Sequence, residues 1–276
     1  MNDFASLGDI TGTYGDEAKP RMGFFTDTSV CIGCKACEVA CKEWNLVPED
    51  GLVWTGNSYD NTGELNANTW RHVAFIEQDK PIRVGGQDFR WLMSSDVCKH
   101  CTHAGCLDVC PTGAIFRTEF GTVVIQDDVC NGCGYCVVAC PFGVIDKREL
   151  GGDGGMHKCT LCYDRLQDGL EPACAKACPT DSIQFGPLDE LIAKAKERYD
   201  QVVEAGFEGA QLYGHDENDG VGGCGAFFLL LDDPEVYGLP PDPVVPTRNI
   251  SGIWSAAAVA AGALAAGVLA AFAGTD

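Results

Sequence analysis

The spacing of the cysteines constrains this chain more than any other feature. Sixteen of its 17 cysteines fall into four groups of four, and only Cys224 is left over. The first and third groups share the spacing C-x2-C-x2-C-x3-C, the second is C-x2-C-x4-C-x3-C, and the fourth is C-x2-C-x11-C-x3-C. The groups are Cys31, Cys34, Cys37 and Cys41; Cys98, Cys101, Cys106 and Cys110; Cys130, Cys133, Cys136 and Cys140; Cys159, Cys162, Cys174 and Cys178.

These spacings are typical of ligands to [4Fe–4S] clusters. Three cysteines in one compact loop reach three irons of a cubane, while the fourth ligates the other cluster of a pair. We expect this fourth cysteine at the start of a helix. A proline follows it in three groups, as Pro111, Pro141 and Pro179, and stops the chain from continuing as a helix. Two groups therefore make one two-cluster ferredoxin module, and four groups make two.

The order of the groups predicts how they pair. Groups two and three are neighbours in the sequence and are expected to pair, which leaves groups one and four to pair with each other. Each fourth cysteine then crosses to the partner group, and a structure in which each group closed on its own cluster would contradict this. The four predicted iron-binding sets are Cys31, Cys34, Cys37 and Cys178 for cluster 1; Cys159, Cys162, Cys174 and Cys41 for cluster 2; Cys98, Cys101, Cys106 and Cys140 for cluster 3; Cys130, Cys133, Cys136 and Cys110 for cluster 4.

Zinc and disulfides are the alternatives for so many cysteines. The fourth group alone, with two C-x2-C knuckles, fits a zinc site, but a triple C-x2-C-x2-C crowds one tetrahedral ion. Disulfide scaffolds are usually short and secreted, whereas this chain has 276 residues and begins MNDFASLGDITG, without the basic and apolar regions of an export signal. These features favour metal ligation in a reducing compartment. The net charge of −21 argues against nucleic-acid binding, because phosphates would repel the chain.

The remaining sequence predicts an α+β fold of two ferredoxin-like modules of the bacterial 2[4Fe–4S] type. The runs RHVAFI and FRWLM predict strands between groups one and two, TVVIQ and SIQFG predict further short strands, and LDELIAKAKERY predicts an amphipathic helix. The predicted units are an N-terminal arm, 1–24; a first module, 25–47 plus 150–187; a β-rich insertion, 48–95; a second module, 96–149; a helix and acidic connector, 188–247; and a transmembrane anchor, 248–276.

The anchor is predicted from an uncharged C-terminal stretch. Residues Ile250 to Phe272 contain no charged side chain, and a helix of that length is about 35 Å long, enough to cross a hydrocarbon core of about 30 Å. Trp254 lies near one end, where an interfacial anchor is expected. The stretch is rich in alanine, so a soluble helix covered by a partner is the alternative. The charges beside it do not decide on which side of the membrane the protein lies.

Several residues beside the cysteines are candidates for adjusting a cluster. Lys35, Lys99 and Lys158 each adjoin a ligand, where a positive charge would favour the reduced, more negative cluster. The alternative for each is a solvated surface lysine. The remaining cysteine, Cys224, is interpreted as an unligated structural residue.

The sequence between the cysteines resembles a known family. The runs FFTDTSVCIGCKACEVACKEWN, CKHCTHAGCLDVCPTGAI, CNGCGYCVVACPFGVI and HKCTLCYDRLQDGLEPACAKACPTDSIQFG are similar to the iron–sulfur (β) subunit of respiratory, membrane-associated formate dehydrogenases. The broader relatives are the four-cluster subunits of molybdopterin oxidoreductases. Some of those hold a three-iron cluster where a ligand is replaced, so the sixteen cysteines here imply four [4Fe–4S] clusters.

This resemblance implies a non-catalytic subunit in an oxidoreductase complex. A separate molybdopterin subunit, with molybdenum or tungsten, would oxidise formate, and this chain would relay the electrons to a membrane cytochrome b that reduces quinone. The protein would be membrane-associated. The alternatives are an equivalent subunit acting with dimethyl sulfoxide, nitrate or polysulfide, and a free-standing polyferredoxin.

Overall fold

Short strands and helices alternate along the described residues of the computed structural model, 19–57, 59–78, 90–148, 154–248 and 250–273. The strands are β1 Met22–Asp27, β2 Arg71–Gln78, β3 Arg90–Val97, β4 Ile115–Arg117, β5 Val123–Ile125, β6 Asp146–Lys147, β7 Met156–His157, β8 Ile183–Pro187, β9 Gln211–Tyr213 and β10 Ala226–Leu230. The α-helices are α1 Ala36–Trp44, α2 Gly105–Asp108, α3 Tyr135–Ala139, α4 Tyr163–Gln167, α5 Ala173–Lys176, α6 Leu188–Glu204 and α7 Ile250–Ala273. Most of the predicted N-terminal arm, part of the insertion (79–89) and the residues 149–153 between modules lie outside the described residues.

A four-stranded sheet has the order β8-β1-β10-β9. Strand β1 runs parallel to β10 and antiparallel to β8, and β10 runs antiparallel to β9. All five residues of β10, AFFLL, are buried, as expected for an apolar strand covered on both faces. Burying one phenylalanine or leucine side chain stabilises the fold by about 1.5–3 kcal/mol, so β10 is a main part of the core.

The segment that follows group four differs from the prediction. Helix α6 confirms the predicted amphipathic helix and extends it to Glu204, with a buried face of Leu188, Leu191, Ala195 and Val202 that packs on β1. The residues predicted as an acidic connector instead supply β9 and β10 to the sheet. Their apolar run is short, and the glycines and acidic residues around it dominate the composition of the segment.

Three antiparallel hairpins complete the strands of the described chain. The pair β2–β3 is the longest, with its register running from Arg71 opposite Val97 to Gln78 opposite Arg90. It confirms the strands predicted from RHVAFI and FRWLM. The pairs β4–β5 and β6–β7 flank group three in the sequence, and β5 and β8 confirm the strands predicted from TVVIQ and SIQFG.

Short helices bring the cysteine groups together. Helix α1 of group one packs against α5 of group four, and α2 of group two packs against α3 of group three. These are the contacts that the predicted pairing of the groups requires.

Helix α7 lies at the C-terminal end of the protein. Its segment Gly252–Ala273 has 22 residues, a mean hydropathy of 2.1 and no buried residue in its most apolar window, so its length and composition would allow it to cross a membrane. Just before it, Thr247 Oγ1 donates a hydrogen bond to Asp108 Oδ2 at 2.5 Å, and Arg248 Nη1 donates to the Asp219 carbonyl at 2.9 Å. The residues that precede α7 are therefore tied to the region around α2.

Candidate metal centres

The four C-x2-C loops share one backbone turn. The residue before the second cysteine has a positive φ in every loop: 65° at Gly33, 45° at His100, 70° at Gly132 and 59° at Leu161. Glycine adopts this left-handed region freely, whereas a side chain there costs about 1–3 kcal/mol. The sequence therefore indicates the turn at only two of the four loops. The same turn at His100 and Leu161 shows that the loops are built alike despite different residues.

The third and fourth cysteines of groups one and three lie about one turn apart along a short helix. In group one, Cys37 lies in the first turn of α1 and Cys41 one turn further along it. In group three, Cys136 lies in α3 and Cys140 is its C-terminal cap. The expectation that the fourth cysteine lies at the start of a helix is therefore wrong, because the third cysteine holds that place. The helix separates the fourth cysteine from the first three of its group.

Thiols of groups one and four lie close together. Burial raises the pKa of Cys41 well above its usual value, and the charges of three group-four thiols raise it further, namely Cys159, Cys174 and Cys162. Burial also raises the pKa of Cys31, to which the charge of Cys178 adds. These neighbours are the ones that the crossed sets for clusters 1 and 2 require. The ligation itself stays a prediction.

Groups two and three show the same relation. Burial raises the pKa of Cys106, and the charges that add to this effect are those of Cys98, Cys101 and Cys140. Burial raises the pKa of Cys136 to about 11, with contributions from Cys130, Cys133 and Cys110. A metal ligand must be a thiolate, and buried thiolates in such proximity repel one another. The positive charge of bound iron would compensate for this repulsion.

The lining of one cavity can be compared with what a cluster requires. Four thiols line it together, and they are the complete set predicted for cluster 3: Cys98, Cys101, Cys106 and Cys140. Its other walls are largely apolar and include Val123, Phe142, Val144 and Ile145. The donor set and the apolar wall fit an iron–sulfur cluster.

Hydrogen bonds reach several of the sulfur atoms. The Leu161 N–H donates to Cys159 Sγ at 3.2 Å, and the Met156 N–H donates to Cys130 Sγ at 3.5 Å. The Asn45 side-chain amide reaches two thiols of different groups, Cys41 Sγ at 3.6 Å and Cys162 Sγ at 3.8 Å. Such bonds raise the reduction potential of a cluster because they stabilise the additional negative charge. They would thus act on clusters 2 and 4 in particular.

Two of the three candidate lysines are buried. Lys99 is 1% exposed and Lys158 is 2% exposed, so the alternative of a solvated surface lysine is wrong for both. Burial lowers the pKa of Lys158, but the charges of Cys98, Cys106 and Cys159 outweigh it and the pKa is raised. The ammonium of Lys158 also donates to the carbonyls of Val123 and Cys159. Lys158 is thus a buried cation among the thiols predicted for clusters 2 and 3.

Lys35 has a different environment. Its ammonium forms ion pairs with Glu38 at 3.1 Å and Asp60 at 2.6 Å, and its side chain is 23% exposed. Burial lowers its pKa, but these two carboxylates outweigh that effect and raise it. Lys35 therefore links group one to the segment before β2.

Two further residues lie beside the cysteines of group two. His100 is buried, and its Nδ1 accepts a hydrogen bond from the Val123 N–H at 3.1 Å. Burial and then the charge of Lys158 hold the pKa of His100 well below its usual value, so the imidazole is neutral. Cys224 is also buried and lies within hydrogen-bond reach of Cys101. Its place beside a predicted ligand was not foreseen.

The sequence interpretation also missed Arg71. This residue opens β2 and is 1% exposed. The charges of thiols from groups one and four act on it. In the sequence it is one basic residue at the start of a strand, with no cysteine near it, so no motif marks it.

Comparison with known proteins agrees with this geometry. Two family models, each described as a 4Fe-4S dicluster domain, match the sequence, one at residues 30–114 and the other at residues 89–188. The molecule is therefore an iron–sulfur protein of the two-cluster ferredoxin type, with two such domains.

Individual relatives narrow the family. The sequence is 42% identical to the formate dehydrogenase iron-sulfur subunit of Haemophilus influenzae, over 82% of this protein and 71% of that one. It is 40% identical to the nitrate-inducible formate dehydrogenase iron-sulfur subunit of Escherichia coli K12, over 83% and 76%. It is also 40% identical to a subunit of the anaerobic dimethyl sulfoxide reductase of that organism, over 63% and 77%. This protein belongs to the family of formate dehydrogenase iron–sulfur subunits, which confirms the resemblance stated from its motifs.

Proposed function

We propose that this protein holds four [4Fe–4S] clusters and relays electrons from a molybdopterin formate dehydrogenase subunit to a membrane cytochrome b and quinone. The observation that carries the proposal is the proximity of thiols from different groups, because each fourth cysteine lies near the partner group. The proposed ligand sets are the four crossed sets named above. When bound, each cluster accepts and releases one electron.

The proposed domains follow from the same pairing. Helix α1 packs on α5 and β1 pairs with β8, which supports one module from 25–47 and 150–187. Helix α2 packs on α3, which supports a second module over 96–149. The β2–β3 hairpin supports the interpretation of 48–95 as a β-rich insertion, although its second strand ends at Val97.

Neighbouring thiols define an order for the clusters. Cys37 of set 1 interacts with Cys174 of set 2, and Cys159 of set 2 interacts with Cys98 of set 3. Helix α2 carries Cys106 of set 3, and Cys110 of set 4 follows the C-cap of this helix, Val109. These neighbours support the order 1, 2, 3, 4. The ends of this order reach the surface, because Cys34 of set 1 and Cys133 of set 4 are the exposed cysteines of the four groups.

The start of α7 gives this order a direction. A side chain at Gly105 would lie 3.0 Å from Val245 Cγ1, so the residues before α7 pack on α2. If α7 anchors the protein, the second module lies next to the membrane. Electrons would enter at cluster 1, on the side of the catalytic subunit, and leave at cluster 4 towards the cytochrome b.

Composition of the purified complex tests the cluster proposal. The four clusters of this subunit should contribute about sixteen iron atoms and about sixteen acid-labile sulfides to the complex, since each cluster holds four of each, and the haem of cytochrome b would add iron but no sulfide. The subunit should co-purify with a molybdopterin subunit, and formate should reduce the clusters. About four zinc ions without sulfide would contradict the proposal.

The relation to a dimethyl sulfoxide reductase subunit supports a second candidate. In that case the same subunit would serve a complex that reduces a sulfoxide. Clusters reduced beforehand would then be oxidised by dimethyl sulfoxide, and formate would leave oxidised clusters unchanged. The two substrates added to one preparation distinguish the candidates.

Carbonate extraction of membranes that contain the full-length protein tests membrane anchoring. The substitution Leu264→Arg places a charge near the middle of α7, which costs about 2.5–3.5 kcal/mol for a spanning helix. We expect this variant to shift into the soluble fraction, while Val259→Ala stays in the membrane. Equal extraction of both variants and the unmodified protein would exclude a spanning role for α7.

A further inference from the structure

Arg71 is the largest fully buried side chain among the described residues, and the proposed ligation gives it no role. A buried guanidinium retains its charge and needs compensation from an anion or from hydrogen bonds. The contacts of Arg71 show which groups compensate for its buried charge.

The hydrogen bonds of Arg71 are incomplete. Nη1 donates to the Ser95 carbonyl at 3.3 Å and to Ser95 Oγ at 3.1 Å. Nε and Nη2 are buried and have no hydrogen-bond partner in the described part of the protein. The guanidinium lies over the Phe24 ring, with Cζ 4.7 Å from the centroid. These two nitrogens carry three N–H groups, and none of the three has an acceptor among the described residues.

The charges around Arg71 are those of cysteines. Burial lowers the pKa of the guanidinium, but four thiols outweigh this effect and raise it: Cys174, Cys37, Cys159 and Cys41. Within the described ranges, none of the carboxylates forms an ion pair with it. Ser95 connects Arg71 to Cys37, because its Oγ accepts from Arg71 and lies 3.3 Å from Cys37 Sγ.

These four thiols belong to two ligand sets. Cys37 is in the set for cluster 1, and Cys41, Cys159 and Cys174 are in the set for cluster 2. Arg71 therefore lies between the two sites, with a fixed positive charge and unpaired N–H donors. Reduction adds one electron and one negative charge to a cluster, which a nearby cation stabilises.

We propose that Arg71 donates hydrogen bonds to the sulfur of clusters 1 and 2 and holds their reduction potentials above those of the same sites without it. The inference rests on the proposed function, because it requires clusters at these two sites. Arg71 thereby keeps the proposed entry end of the relay reducible.

The test is a potentiometric titration of the purified complex, followed by electron paramagnetic resonance. In Arg71→Gln, the ratio of reduced to oxidised cluster 1 and cluster 2 should fall about tenfold at a fixed potential, which is about 59 mV for a one-electron couple. The potentials of clusters 3 and 4 should not change. In Arg71→Lys, which retains the charge, the potentials of clusters 1 and 2 should return most of the way to their wild-type values. Arg90→Gln is the matched control, because Arg90 pairs with Asp232 on the same hairpin, and it should shift none.

Two outcomes overturn the inference. One is a set of four unchanged potentials in Arg71→Gln with full iron content. The other is an equal shift of all four clusters, which would indicate a general structural change. A wild-type complex in which this subunit lacks about sixteen acid-labile sulfides would instead refute the proposed function, so the two failures are distinguishable.

A second measurement decides the matter if Arg71→Gln does not assemble. Wild-type complex with 15N-labelled arginine should show hyperfine coupling of 15N to the reduced signals of clusters 1 and 2. The coupling should be lost in Arg71→Lys. A wild-type complex without such coupling would refute the contact between Arg71 and the clusters.

Discussion

Groups one and three have the same cysteine spacing, yet they lie in different surroundings. Group one joins group four beside the four-stranded sheet and the β2–β3 hairpin, and Arg71 lies among their thiols. Group three joins group two through the packing of α3 on α2, which also contacts β4 and lies next to the residues that lead into α7. The spacing of the cysteines therefore determines that a group can bind a cluster, while the residues around the thiols determine how easily that cluster is reduced.

The largest expected difference between the two regions is the loss of iron when one glycine in each is replaced by alanine. In Gly33→Ala, the new Cβ would lie 2.5 Å from the Phe75 ring and 2.8 Å from Met93 Sδ, at a φ of 65°. Gly134 also has a positive φ, but nothing lies within 4 Å of its Cβ position. We expect Gly33→Ala to lose about a quarter of the iron, which is one cluster of four.

The control in this comparison is Gly134→Ala. It should retain its iron and lose only about 1–3 kcal/mol of stability from backbone strain. Iron analysis and thermal unfolding measure the two effects. Equal iron loss in both variants would show that the β2–β3 hairpin does not distinguish the regions.

A smaller effect is expected at Asn45, which reaches thiols of groups one and four. In Asn45→Ala, cluster 2 loses a hydrogen bond to each of two ligands. We expect its ratio of reduced to oxidised form to fall about threefold, or about 30 mV. Asn218→Ala is the control, since Asn218 is exposed and bonds to Asp216. A shift of cluster 4 as large as that of cluster 2 would contradict the assignment.

The smallest effect concerns the ion pairs of Lys35 with Glu38 and Asp60. Partly exposed pairs contribute up to about 1 kcal/mol, so Lys35→Gln should lower the melting temperature by about 2–4 °C at pH 7. The pKa of Lys35 is raised in the folded state. Its contribution is therefore complete below the unfolded pKa and is lost as the pH rises through the folded pKa.

Melting temperatures between about pH 7 and pH 11, a range that spans the ordinary lysine pKa, measure this effect. The difference between Lys35→Gln and the unmodified protein should narrow at the alkaline end. Lys147→Gln, at an exposed position, should match the unmodified protein throughout. A difference that grows with pH would contradict the sign of the shift.

The sequence predicted the parts of the molecule that repeat a local pattern. The cysteine groups, the helix α6 and the strands β2, β3, β5 and β8 are encoded by spacing or periodicity over a few residues. The turns at His100 and Leu161 were not foreseen, because residues other than glycine are uncommon at a positive φ. Strands β9 and β10 were missed because a short apolar run lies in an acidic, glycine-rich segment. Arg71 was missed because its role depends on thiols distant in sequence.

The central claim is that sixteen cysteines hold four clusters with crossed ligation. The most direct test is an experimental structure of the complex with anomalous scattering measured at the iron edge, which locates each cluster and its ligands. We predict four sites, with Cys178 on the cluster of Cys31, and Cys110 on the cluster of Cys130. A structure in which each group closes on its own cluster would contradict the claim.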